Sequence, residues 1–283
     1  MHIVVSLCAN AEQEQEDVSF VVLGKTANYR QSASGKHSLL NYHFFAEIFL
    51  KKGGKVHRAA LITPGGKNEL VFKGDESVLE VHGGRYKDEA SLNQAFPDGN
   101  YIFSYRLSDN TLLNETVIIN NSTSQSRIPA IVDITLLQDG RRVSPGRIDP
   151  DVDLLVGWSV FETGNADPNT IVDDLVFVVT GDCHGRKIDH SGGPFSGNEY
   201  LTYASSNYTI LKSVLKPGES YQLFVEHADV DTSSYREIPE IATYAATTFL
   251  DIHTIGEQSR GRRKCSKIMP AMDGGQTDRP QKN

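Results

Sequence analysis

Long apolar runs are missing from this chain of 283 residues. No stretch approaches the ~18 consecutive apolar residues of a membrane-spanning helix, so none is expected. Helical periodicity is almost absent as well, which excludes a helix bundle. Cysteine occurs three times and tryptophan once, so a disulfide-dense scaffold is ruled out. Basic charge is in short supply: 28 Lys and Arg stand against 36 Asp and Glu, a net of −8. The deficit is uneven. Residues 257–283 carry +4, which leaves −12 on residues 1–256. Nucleic-acid binding needs a clustered basic face, and an acidic body argues against it.

Hydrophobic residues make up 39% of the chain and charged residues 23%, enough to bury a core. The length suits about two domains. The N-terminus reads MHIVVSLCANA and then turns polar. Ala9-Asn10-Ala11 has the small-x-small form of a signal cleavage site, so residues 1–17 are expected to be the remnant of an export signal. Bulky Leu7 before Cys8 argues against lipidation of that cysteine. Cys183 and Cys265 remain, but Cys265 lies in the basic stretch, so a structural disulfide is not expected. Residues 256–283 are expected to be a solvated, disordered tail.

The rest is a succession of short alternating segments rich in Val, Ile and aromatics, punctuated by Gly, Asn, Asp and Pro. That pattern predicts many antiparallel strands. In the first half, strands are expected at 18–23, 39–50, 56–63, 69–72, 78–81, 101–107 and 112–119. Lys52-Gly53-Gly54-Lys55 is expected to close a hairpin between the second and third. A short helix is expected at 87–96, stopped by Pro97. Residues 121–129, polar, small and ending in Pro129, predict a linker. Beyond it, strands are expected at 130–137, 154–161, 174–180, 208–211, 221–226 and 242–253, with a long loop at 181–198. The expectation is an all-β fold of two tandem antiparallel sandwiches, at 18–120 and 130–255.

Two runs echo one another. Pro97 precedes Tyr101 by four residues, and Pro217 precedes Tyr221 by four. With Trp158 and the Leu215-x-Pro217-Gly218-x-x-Tyr221 run, the C-terminal half resembles a fibronectin type III-like domain. The resemblance implies a corner in which the Tyr221 hydroxyl bonds upstream backbone while its ring packs in the core. The N-terminal half is more weakly similar to the β-sandwich modules of secreted bacterial proteins, through Pro97 and Tyr101. Such modules are adhesive, scaffolding or binding units, so neither half implies a catalytic residue.

Candidate sites are few. The 181–198 loop holds Cys183, His184, Asp189 and His190, all metal-ligand types. Their spacing matches no tetrahedral motif, and Arg186 and Lys187 oppose a cation. Asp149, Asp151 and Asp153 would share one face if their segment were extended, which suits calcium. An EF-hand fails there, because Leu154 and Val160 hold the Gly and Glu positions. Tyr200, Tyr203 and Tyr208 cluster after the loop and suggest a sugar-stacking platform, with Tyr200 and Tyr208 on one strand face. His37, His43 and His57 with Glu47 form no recognised catalytic motif. Asn114, Asn120, Asn121 and Asn207 lie in glycosylation sequons.

These readings lead to a non-catalytic exported protein, periplasmic, secreted or at the cell surface. It would bind a protein or glycan partner through its end loops, with the 181–198 loop foremost. Two alternatives stay open. One is a carbohydrate-active or other hydrolytic enzyme on a sandwich. The other is a fragment of a larger surface protein.

Overall fold

The computed structural model describes residues 17–66, 68–120 and 126–257. The expected export remnant at 1–16 and nearly all of the basic tail lie outside the described residues, as do Cys8 and Cys265. The N-terminal half runs β1 (Val18–Gln31), β2 (His37–Leu50), β3 (Val56–Ile62), β4 (Glu69–Val71), β5 (Lys73–Gly74), β6 (Val78–Tyr86), α1 (Glu89–Ala95), β7 (Gly99–Leu107) and β8 (Leu112–Ile119). The C-terminal half runs β9 (Ile134–Gln138), β10 (Arg141–Arg142), β11 (Leu154–Trp158), β12 (Leu175–Asp182), β13 (Lys187–His190), β14 (Leu201–Thr202), β15 (Asn207–Ile210), β16 (Ser220–Tyr235) and β17 (Ile238–His253). Strand accounts for 55% of the described residues and helix for 4%, which makes the class all-β.

Among the described residues the strands form three sheets. The largest has the order β13-β12-β16-β17-β1-β2-β6-β5, with β14 added beside β12. Two four-stranded sheets, β4-β3-β7-β8 and β10-β9-β11-β15, complete the fold. The large sheet is shared by both halves because β1 pairs with β17, from Val21 opposite Glu240 to Gln31 opposite Leu250. That pairing is parallel, whereas the other pairs are antiparallel.

One face of the large sheet carries two cores at opposite ends of its long strands. Leu23, Phe44, Ile48 and Tyr244 pack under β3, β7 and β8 with Tyr101, Phe103 and Tyr105. Val178, Leu223, Val225, Leu250 and Ile252 pack under β9, β11 and β15 with Leu136, Val156 and Ile210. Full burial of each such side chain is worth about 1.5–3 kcal/mol. Strand alternation explains the arrangement: Ala242, Tyr244, Leu250 and Ile252 of β17 all point to this side. Between the cores, polar groups hold the seam. Buried Lys25 reaches Asn93 Oδ1 at 2.6 Å and Asp98 Oδ1 at 3.0 Å. Gln31 both donates to the Ile134 carbonyl and accepts from its N–H, each at 2.8 Å.

Both tyrosine corners are present. Tyr101 Oη donates to the Pro97 carbonyl at 2.8 Å, and the Lys216 N–H donates to Tyr221 Oη at 2.7 Å. Each ring is buried, Tyr101 at 0% exposure and Tyr221 at 4%. Trp158 ends β11 and packs partly buried against the C-terminal core.

Four local expectations are corrected. The Lys52–Lys55 turn does not close a hairpin: β2 and β3 lie in different sheets, so the turn carries the chain across the sandwich. The 181–198 segment is not all loop, because β13 folds back on β12 through a turn in which Asp182 caps the N–H groups of His184 and Arg186. The strands expected at 221–226 and 242–253 are two 16-residue arms of one hairpin. Its turn places Arg236 and Glu237 at φ 49° and 68°. Such a primed turn favours Asn-Gly, and neither residue here advertises it. The 149–153 segment bends as a turn instead of running extended.

Candidate ligand-binding face

The other face of the large sheet gathers most of the chemistry that the sequence scatters. Alternation sends Phe20, Val22, Thr26 and Asn28 of β1 to this side, with His43, Phe45, Glu47 and Phe49 of β2. Glu80 and His82 of β6, Thr243 and Thr247 of β17, Phe224 and Glu226 of β16 and Phe177 of β12 join them.

The sheet coils toward this side. Glu47 is level with Val22 and Ile241, and Glu226 is level with Thr247. In a flat sheet their Cα atoms would stand about 25 Å apart, at about 4.8 Å per strand and 3.3 Å per residue. Yet the charge of Glu226 acts on Glu47. Coiling shortens that separation. A second contact agrees: the ring of Phe195, from the segment after β13, lies 4.8 Å from that of Phe20 on β1. Phe20 in turn stacks on Phe49 at 4.2 Å and 11°. Residues 191–200 therefore form a strap laid across the coiled face, with Gly193 above Phe177.

Beneath it, burial and then the negative charges of Glu80 and Glu226 push the Glu47 carboxyl up to about 8. Glu47 and Glu80 are direct cross-strand partners, an unfavourable pairing for like charges. Burial also raises Glu226, against the hydrogen bond donated by Thr247 Oγ1. Thr247 Oγ1 lies 3.2 Å from Thr26 Oγ1, so a hydroxyl chain leads to Glu226. His43 Nδ1 donates to the Gly84 carbonyl at 2.9 Å, which leaves Nε2 to accept from His82 Nδ1 at 3.2 Å. His82 Nε2 lies 3.4 Å from Glu80. Burial, reinforced by Arg85, pushes His43 down to about 3.

The residues singled out from sequence are distributed differently. Asp189, His190 and Tyr208 do meet: Tyr208 Oη donates to the His190 carbonyl at 3.1 Å and is also coupled to Asp189. Burial raises the Asp189 carboxyl, and its Oδ2 is buried without a partner. His184 sits apart, exposed at the hairpin turn between β12 and β13. Tyr200 is 36% exposed and precedes β14, whereas Tyr208 lies on β15 in another sheet, so the two do not share a strand. Tyr203 packs into the C-terminal core. Cys183 is disulfide-bonded, which corrects the expectation of no structural disulfide and removes its thiolate as a ligand.

Asp149 Oδ1 caps the Asp151 N–H at 3.0 Å, and Asp153 Oδ1 accepts from the Lys212 N–H at 2.9 Å. Asp151, Asp153, Asp139 and Lys212 line an open cleft of about 430 Å³. Among the described residues, no three His, Cys, Asp or Glu side chains form a group that could hold a metal ion. Neither Glu226 nor Glu80 is singled out by the sequence, whereas most of the strap falls within the 181–198 loop expected foremost for binding. The one signal for the two glutamates is parity along their strands, which does not tell which other strands they face.

No known protein family and no curated protein matches this chain. Among solved structures it is similar to a tyrosine-to-glycine mutant of Salmonella alpha-2-macroglobulin, at 9% identity and a TM-score of 0.21. The match covers 82% of this chain and 15% of that one.

Proposed function

We propose that this is a non-catalytic exported binding protein whose ligand seats on the coiled face beneath the 191–200 strap. The observation that carries the reading is the convergence there of three carboxyl groups and a set of partly exposed phenyl rings, drawn from β1, β2, β6, β12 and β16. Recognition sites join apolar rings to a few convergent polar groups with shifted proton affinities, and this face has both. The disulfide at Cys183 supports an oxidising compartment, and so export. The order β9-β11-β15 facing β17-β16-β12-β13, with the Tyr221 corner, supports a fibronectin type III-like C-terminal half.

A thermal-shift screen of glycans, organic ions and metal ions on the whole chain tests the reading. A ligand at 100 times its Kd adds about 2.7 kcal/mol of stability. The double variant Phe177→Ala/Phe224→Ala should abolish the shift, and His184→Ala, at the β12–β13 turn, should keep it. The reverse pattern would move the site to the β12–β13 hairpin, and silence across the screen would remove the small-ligand reading.

A hydrolytic enzyme is the second reading. It is favoured by Glu47, a carboxyl held protonated at neutral pH beside Glu80, the pairing a general acid needs. Turnover of a chromogenic glycoside or ester panel that vanishes in Glu47→Gln would replace the binding proposal.

A further inference from the structure

We propose that the coiled face takes an organic cation, a quaternary ammonium or protonated amine, held between the carboxylates of Glu47 and Glu226 and the phenyl rings beside them. The proposal rests on the binding reading above and names its ligand class.

Charge is the first argument. Glu47 has no hydrogen-bond or ion-pair partner among the described residues, and Glu226 has only the Thr247 hydroxyl. The arginines on this face are engaged elsewhere. Arg30 pairs with Asp251 at 2.6 Å, and Arg85 donates to Asn41 at 3.2 Å. Lys73 stands across from Glu80, next to His82, and Lys187 lies at the exposed outer strand. Two carboxyl groups crowded without a counter-ion are neutralised by protons, or by a cation that enters.

The rings are the second argument. Phe177 is the cross-strand neighbour of Glu226, Phe224 lies two residues along the same strand, and Phe45 and Phe49 flank Glu47. Phe177, Phe224, Phe45 and Phe49 are only partly buried. A carboxylate ringed by phenyl faces attracts weakly hydrated organic cations more than it does small metal ions.

The third argument is independent of both. Thr243, 6% exposed, holds a buried hydroxyl without a partner on this same face. It stands next to Gly24, where a Cβ would come within 2.4 Å of the Phe45 ring and 2.8 Å of the Thr243 methyl. The glycine lets the Phe45 ring lie directly against β1 beside Thr243. The strap supplies the cover: Phe195 lies between Gly192 and Gly197, at φ 86° and 75°, and is itself at φ 62°.

Binding a cation favours the ionised form of Glu47, so a proton leaves as the ligand enters. Affinity should therefore rise with pH and level off above about 8. Glu80 and Glu226 contribute to the same field.

Calorimetric titration of the full chain with choline, tetramethylammonium and putrescine tests the inference, with 3,3-dimethyl-1-butanol as the neutral isostere of choline. At least one cation should bind about tenfold or more tighter than the isostere, and about tenfold tighter at pH 9 than at pH 6. Glu47→Gln should weaken binding and flatten the pH profile. The protonated carboxyl is already neutral, so that variant should melt normally. Glu226→Gln should weaken binding without flattening the profile. Equal affinity for the isostere overturns the cation while leaving the binding face in place, provided that Phe177→Ala/Phe224→Ala abolishes it. A Glu47→Gln protein that keeps both affinity and pH profile, or no binding of any of the three cations, also overturns it.

Discussion

His43 and His82 are joined ring to ring, with Nε2 of the first 3.2 Å from Nδ1 of the second. The Gly84 carbonyl accepts from His43 on the other side and fixes its tautomer. His43 should remain neutral, with its proton on Nδ1, down to about pH 3. Long-range proton–nitrogen correlation spectra report each ring nitrogen. An ordinary histidine titration near pH 6.5 at this ring would refute the assignment.

Glu115 gives the stability a pH window. It is fully buried on β8, accepts from Tyr105 Oη, and faces Glu240 of β17 with one oxygen of each carboxyl unpartnered. Burial pushes it up to about 7, with the charge of Glu240 adding to the effect. A raised carboxyl binds its proton more tightly folded than unfolded. Its stabilising contribution is complete below the ordinary value of 4.5 and is lost as pH rises toward 7. Urea titrations should show stability falling across that interval. Glu115→Gln should flatten the fall, and an unchanged slope would show that another group is responsible.

Arg127, within residues 121–129, ties that segment to the shared sheet. Its guanidinium bonds both Asp229 and Asp231 and lies 4.3 Å from the Tyr244 ring centroid. Arg127→Ala should cost about 2 kcal/mol, because two carboxylates lose their partner and the ring loses its cation. Lysine should restore less than half, since it lacks the fork that reaches both acids. Chemical denaturation of the three proteins measures this, and full rescue by lysine would show that charge alone matters.

The two corners should be unequal in kind. Tyr221 Oη accepts a backbone N–H, whereas Tyr101 Oη donates to a carbonyl. Removing the hydroxyl of Tyr221 takes from the Lys216 N–H its acceptor, while the Pro97 carbonyl can turn to water. Tyr221→Phe should cost about 1–2 kcal/mol and Tyr101→Phe less. Melting temperatures of the two variants decide it, and equal losses would contradict the ordering.

The sequence by itself determined much of the local structure. Alternation marked most strands, the Pro-to-Tyr spacing marked both corners, and Pro97 marked the end of α1. Period two also tells which residues share a strand face, so His43 and Glu47 were bound to lie together. It cannot tell how far a strand runs past its apolar centre, and so the polar ends of β16 and β17 were lost. Nor can it tell which strands pair at long range. The parallel contact of β1 with β17 joins residues more than two hundred positions apart, and no local signal encodes it. Coiling of the sheet then decided the rest. It set Phe195 against Phe20 and drew Glu226 toward Glu47, because the twist accumulated over many strands brings together side chains that a flat sheet would hold apart.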